Sequence, residues 1–308
     1  MTGEPVHSTI NVGGQAVIEG VMMRSPDTVA VAVRRPDGRI VLKKTPFLSW
    51  TKKIRFLGWP FLRGGVILIE SLVLGVRALN FSSLIAAAGE GKNAETRSGK
   101  KDQWILGGTA VFAFGLGLLL FFYLPLLLTE WTGVKSGTLF NLIDGGIRLF
   151  IFLCYLFLIR LWKDIRRIFE YHGAEHKSIF AFEGGRPLEV AEVKAFSTHH
   201  PRCGTSFLLV VMLVSLVVFM FLGRPDSASD RIVRFCFIPV IGGLSYEIIR
   251  LSTTRYGRWL GQTLVAPGVW LQHLTTGEPD DGQIEVALVA LKSALNEKPD
   301  PSVEIMAA

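Results

Sequence analysis

The chain has 308 residues, 49% of them hydrophobic, with a formal net charge of +7 and a mean hydropathy of +0.39. Its apolar residues are gathered in blocks rather than spread, which excludes an ordinary water-soluble globule, and its basic residues flank those blocks without any aromatic-basic RNA motif, so membrane topology explains the charge and no specific nucleic-acid partner is expected. The absence of a phosphate-binding GKS/T loop, a dinucleotide fingerprint and a G-x-S-x-G elbow removes support for ATP-driven and serine-esterase chemistry.

The opening MTGEPVHSTI has neither a basic n-region nor an apolar h-region, so no cleavable signal is expected and insertion falls to internal helices. Residues 1–63 are expected to form a cytosolic β-rich unit. TVAVAVR and RIVLKK flank Arg35-Pro36-Asp37-Gly38, a turn sequence in which Gly38 supplies positive φ cheaply, and this predicts a hairpin. The stretch NVGGQAVIEGVMMRS, with paired glycines and the isolated Glu19, fits no element by pattern. Residues 64–88 are long enough to span, but they carry Glu70 and Arg77 and lie between basic clusters (Lys52, Lys53, Arg55, Arg63 before; Lys92, Arg97, Lys100, Lys101 after). Spanning would put one cluster outside, so this segment is read as an interfacial or re-entrant helix.

Four spans follow, at 104–128, about 139–161, 204–222 and about 233–250. The first runs 25 residues without a charge, enough at about 1.5 Å per residue to cross a hydrocarbon core of about 30 Å. Asp144 and Arg148 stand at i,i+4 and can pair, while Pro125, Pro239 and Gly242-Gly243 are expected to kink their helices. The second span ends at Arg160, Lys163, Arg166 and Arg167, which marks that end as cytosolic, whereas the connectors within each hairpin (104–161 and 204–250) are short and mildly charged. Both termini and the 162–203 region are therefore expected inside. Beyond 250, residues 251–308 are read as cytosolic amphipathic segments: GRWLGQTLVAPGVWLQHL as surface-lying, LTTGEPDDG as a solvated loop, and IEVALVALKSALNE as a short amphipathic helix. The fold class expected is mainly α, a polytopic membrane helical bundle of about four transmembrane helices plus one interfacial or re-entrant helix, with a small N-terminal β-rich unit.

The chemistry gathers in the 162–203 region. His172, Glu175 and His176 form H-x-x-E-H; on a helix, i and i+4 share a face, so both imidazoles can reach one ion while Glu175 stands alongside to take a proton from water. STHHPRCGTS then brings His199, His200 and Cys203 to the start of the next span. The region thus holds four of the six histidines and the one cysteine outside an apolar span, since Cys154 and Cys236 lie within such runs. No secreted disulfide framework is expected. His172, His176, one of His199 and His200, and Cys203 offer nitrogen and sulfur ligands suited to zinc or another divalent metal. Three ligands leave a position for water; four make a closed, structural site. The plainer alternative is that these histidines only satisfy hydrogen bonds near headgroups and Cys203 is a small buried residue. Pro201 disfavours the α conformation at His200. Glu19, Glu70 and Glu247 are expected to pair with Arg24, Arg77, and Arg250 or Arg255, and Glu183 is either a supporting acid or solvated.

GGQAVIEGVMMRSP (13–26), AVAVRRPDGRIV (30–41), YHGAEHKSI (171–179), STHHPRCGTSFLLVV (197–211) and LTTGEPDDGQIEVAL (274–288) together resemble the YqhQ-like family of bacterial membrane proteins of unknown function, over nearly the whole chain. The resemblance implies a bacterial inner-membrane location and a metal-dependent enzyme, with H-x-x-E-H on His172, Glu175 and His176 and the H-P-R-C-G-T block on 200–205, which favours His200 over His199. The expectation is a zinc-dependent membrane hydrolase cutting an amide or ester bond of a peptide or lipid-linked substrate at the cytosolic bilayer surface, with Glu175 as general base. Its rival is a scaffold or biogenesis factor in which four ligands clip the 162–203 loop and the basic cytosolic face recruits a protein partner. A transporter using Asp144, Arg148 and Glu70 is the weaker third reading.

Overall fold

The computed structural model describes residues 10–60, 62–87, 100–252, 258–298 and 300–306. In chain order they form strands β1 (Gly13–Val17), β2 (Gly20–Arg24), β3 (Thr28–Arg34) and β4 (Ile40–Pro46), then helices α1 (Trp50–Lys53), α2 (Leu62–Ala87), α3 (Lys100–Leu118), α4 (Leu124–Trp131), α5 (Gly137–Arg160), α6 (Lys163–Glu183), α7 (Val190–Val193), α8 (Gly204–Leu222), α9 (Ala228–Cys236), α10 (Ile238–Ser252), α11 (Arg258–Thr275) and α12 (Asp281–Ala294), and strand β5 (Glu304–Met306). The protein is mainly helical, as expected, with a small β-sheet built chiefly from its N-terminal region.

That sheet has five strands in the order β1-β2-β3-β4-β5, antiparallel except for the parallel β4–β5 pair. Gly38, at φ +86°, makes the predicted β3–β4 turn. The stretch that fitted no pattern is the β1–β2 hairpin, turned by Ile18 and Glu19, with Glu19 held at φ +52°. It hid because its strands are covered on both faces, which erases the apolar-polar alternation of a half-exposed strand. One face, through Val21, Met23, Ala30, Ala32 and Leu42, packs on α6 and α12; the other, through Met22, Val29, Val31 and Val33, packs on Ala78 and Ile85 of α2.

Four helical stretches are long and apolar enough to cross a membrane: Gly107–Trp131, Gly137–Arg160, Gly204–Leu222 and Ala228–Leu251. They match the four expected spans and make this a membrane protein. Before Pro125 the first of them opens into a π-turn at Leu119–Tyr123, because proline lacks an N–H and its ring crowds the carbonyl four residues back. Pro239 sits at the start of α10, just past the break from α9. α2 is not among the four; one side lies on the sheet while Leu68, Ile69 and Leu72 on another are exposed.

The two C-terminal helices each pack one side inward. α11 buries Val265, Leu271 and Gln272 while Trp270 stands exposed, and Gly268 lets it approach α8 so closely that a Cβ there would stand 2.7 Å from the Ser206 Cα. α12 buries nine of its 14 residues between the sheet and α6 and leaves Asp281 and Glu285 exposed.

Candidate functional site

α6 carries His172, Glu175 and His176 along one face, as the spacing required, and Glu175 and His176 are buried. Gly173, within the motif, costs a helix about 1 kcal/mol relative to alanine. Its reason is a close crossing: a Cβ at 173 would collide with the carbonyl oxygen of Gly277, whose own N–H donates to the Phe169 carbonyl at 2.8 Å. Lys177 pairs with Glu278 at 2.6 Å. The LTTGEPDDG stretch, expected as a solvated loop, is therefore docked on α6. At the other end of the helix, Arg167 binds the Glu19 carboxylate (Nη2–Oε2 2.7 Å), and the Tyr171 hydroxyl lies 3.3 Å from the same group. This tether holds the β1–β2 turn against α6 and offsets the unfavourable φ at Glu19.

Cys203 arrives from the far side of the loop as the N-cap of α8, its sulfur accepting from the Thr205 N–H at 3.4 Å. His172 Nδ1 lies 2.8 Å from the Thr275 carbonyl and His176 Nδ1 lies 2.5 Å from the Thr198 carbonyl. A carbonyl can only accept, so each Nδ1 carries the proton and each Nε2 presents its other side to the site. His172 Nε2 sits 3.2 Å from Cys203 Sγ, and one donor atom from each of His172, His176 and Cys203 lies within 4.8 Å of the others.

The electrostatics match this convergence. Burial pushes the Cys203 thiol up, but the charges and hydrogen bonds of His172 and His176 overcome it and bring its pKa well below the ordinary thiol value. Burial pulls His172 down, yet the neighbouring Cys203 charge, its hydrogen bond and Glu175 carry it to about 9. Glu175 is raised by burial, against the pull of His172 and His176. Gly14 of β1 backs this carboxylate: a Cβ there would stand 2.8 Å from Glu175 Cγ.

His200, expected as a ligand, stands apart from these three. Its Nδ1 accepts from the Arg202 N–H at 3.2 Å, its Nε2 faces Glu183 Oε2 at 3.4 Å, and its ring packs on Phe180 at 4.5 Å between centroids. Gln272 grips the His200 backbone from both sides, accepting from its N–H at 2.7 Å and donating to its carbonyl at 2.8 Å. His199 stacks on His273 with centroids 4.2 Å apart. Glu183 is half-buried, pairing with Arg202 and facing His200. Glu19, Glu70 and Glu247 all find arginines, Arg167, Arg24 (3.6 Å) and Arg63 (2.6 Å), and none of these three pairs is the one expected; Arg255 lies outside the described residues. Gln272, Thr275 and Thr198 were missed. A glutamine inside an apolar helix was a signal for the first; carbonyl ligands of histidine carry no side-chain signature at all.

Beside the cluster is a cavity of about 450 Å³ whose lining includes Gly13, Gly14, Ser71, Glu175, His176 and Cys203. A histidine-histidine-thiolate set opening on a cavity with a carboxylate alongside suits binding of a divalent ion with one position left over.

Residues 59–297 match the family model described as protein of unknown function (DUF1385). The chain is also 35% identical to the "Uncharacterized protein YqhQ" of Bacillus subtilis (strain 168), over 94% of this chain and 96% of that one. No solved structure matches. The chain belongs to the DUF1385 family; that description names no activity, so the metal-dependent enzyme implied by the resemblance draws no support from it.

Proposed function

We propose that this member of the family is a metal-dependent hydrolase of the bacterial inner membrane, with both termini cytosolic, acting on an amide or ester bond of a peptide or lipid-linked substrate at the cytosolic bilayer surface. The observation that carries the reading is that Nε2 of His172 and His176 are both turned toward the Cys203 sulfur by backbone carbonyls at their Nδ1 atoms, beside a cavity that Glu175 enters. His172, His176 and Cys203 would hold the ion, zinc being the best match to two nitrogens and a thiolate. When bound, such an ion supplies Lewis-acid chemistry, polarising a carbonyl and making water more acidic.

The chain's own residues do the rest. Glu175 accepts a proton as the water oxygen bonds to the substrate carbonyl carbon; the carbon-nitrogen or carbon-oxygen bond then breaks and the proton leaves on the departing amine or alcohol. No electrons are exchanged and no co-reactant beyond water is required. Burial keeps the Glu175 carboxylate basic enough for this work. His200 and Glu183, packed behind His176, position rather than react. Three converging donors rather than four favour this reading over the closed structural clip. Membrane lipids are the surroundings, and a protein partner at the basic face belongs to the clip reading alone.

The test is metal content. Purified full-length protein is expected to hold one zinc with two nitrogen ligands, one sulfur ligand and one light-atom ligand by X-ray absorption. Zinc at a hundredfold excess over Kd should stabilise the parent by about 2.7 kcal/mol and Cys203→Ser by far less, while Glu175→Gln should keep the metal. A chain that takes up no zinc, or takes it up equally well without Cys203, overturns the reading.

A further inference from the structure

β1 is an edge strand, and its free edge runs into the candidate site. The hairpin is closed by the Val17↔Gly20 pair, so the ladder's hydrogen-bonded positions fall on Val17, Gln15 and Gly13, and Gly14 and Ala16 turn their N–H and C=O groups away from β2. Among the described residues nothing pairs with those outward groups. Natural edges are usually blunted by lysine, proline, a bulge or extreme shortness. The opposite edge, β5, has only three residues. β1 has none of these protections: its sequence is GGQAV, and a Cβ at Gly13 would meet open space. The same backbone, Gly13 to Ala16, lines the cavity that also holds His172, Glu175 and Cys203, and Gly14 touches Glu175.

We infer that the substrate is a polypeptide, bound extended as an added strand on the free edge of β1. Main-chain hydrogen bonds to Gly14 and Ala16 would carry its backbone along the cavity and bring one peptide carbonyl to the His172, His176, Cys203 cluster. Gly13, where a Cβ would meet nothing, leaves room for a second backbone beside the strand. The substrate class of the proposed hydrolase narrows accordingly from peptide or lipid-linked to peptide, and this narrowing rests on the metal-hydrolase reading.

The probe is a hexapeptide of alternating alanine and leucine ending in a hydroxamate, titrated by calorimetry into zinc-loaded full-length protein in nanodiscs, with acetohydroxamate as the side-chain-free comparison. An added strand uses alternate amides only. N-methylation of one alternate set should weaken binding about tenfold or more, and methylation of the intervening set should leave it within about twofold. Ala16→Pro removes one outward N–H without touching the β2 ladder; it should weaken the hexapeptide about tenfold while zinc content and acetohydroxamate affinity stay at the parent level. Equal affinity for all methylated peptides, with acetohydroxamate still bound, overturns the polypeptide assignment and leaves the metal reading standing. Failure of zinc and acetohydroxamate to bind overturns the metal reading, and the assignment with it.

Discussion

Two regions of this molecule bury clusters of polar side chains, and they are built on opposite plans. Within the membrane bundle, Asp144 pairs with Arg148 at 2.8 Å, Arg234 donates to Asn141 at 2.8 Å, and Asn141 donates to the carbonyls of Gly137, Phe219 and Gly223. These bonds tie α5, α8 and α9 to one another, with Arg148 and Arg234 also lying over the Phe219 ring. At the sheet end, His172 and His176 spend one nitrogen each on a backbone carbonyl and keep the other for a shared point beside a cavity. Polar groups that pair with one another hold a fold together; the fixed and converging histidines are the arrangement on which the proposed metal site rests. Glu70, the third charge of the transporter reading, is bound by Ser49 at 2.9 Å and by Arg24.

The contrast breaks most sharply at Asp144. Asp144→Ala leaves Arg148 buried without its partner and should destabilise the protein by about 3–5 kcal/mol, read as a lowered unfolding midpoint in detergent, with zinc content unchanged. Replacing both Asp144 and Arg148 by leucine should recover most of that loss. If the double variant remains as unstable as the single, or if zinc is lost, the two regions are not separable.

Gly173→Ala should act the other way round. The substitution adds about 1 kcal/mol of helix propensity but drives a Cβ into the Gly277 carbonyl, an overpacking cost of about 1–3 kcal/mol. The net effect should be a loss of stability, because the atom met is backbone, and displacement of the adjoining Thr275 carbonyl should lower zinc affinity by about tenfold or more. Unaltered affinity in a competition titration would mean that the 274–282 segment does not orient His172.

The smallest effect is expected at Gln272. Gln272→Leu removes both bonds to the His200 backbone, at about 1–2 kcal/mol of stability, and should let the 199–201 backbone carry the His200 ring toward the cluster. A third nitrogen ligand, from His200, would then appear in the X-ray absorption spectrum of the zinc-loaded variant. Its absence would show that Gln272 is not what keeps His200 away from the ion.

Much of this architecture was legible beforehand. The charge-free run from Trp104 and its three companions announce the spans through length and hydropathy alone, and H-x-x-E-H announces a shared helix face because 3.6 residues per turn leaves no alternative. The departures have a common origin. β1 and β2 look patternless because the sheet is covered on both faces, and a one-dimensional pattern registers only how many faces are apolar, not which neighbour covers them. The hold on the His200 backbone likewise comes from Gln272, 72 residues away along the chain.

The sequence by itself determined which residues could take part: the helical spacing of His172, Glu175 and His176, the cysteine that caps the next helix, and the hydrophobic lengths that hold both near the bilayer. Those follow from local geometry and from transfer of apolar side chains out of water, which every stretch of chain obeys independently of the rest. Only the tertiary structure decided which imidazole nitrogens face the cluster, that His200 stands outside it, and that an unblunted strand edge borders it. Those depend on backbone carbonyls and strand edges, groups that every residue carries alike and that acquire meaning only through what the fold places opposite them.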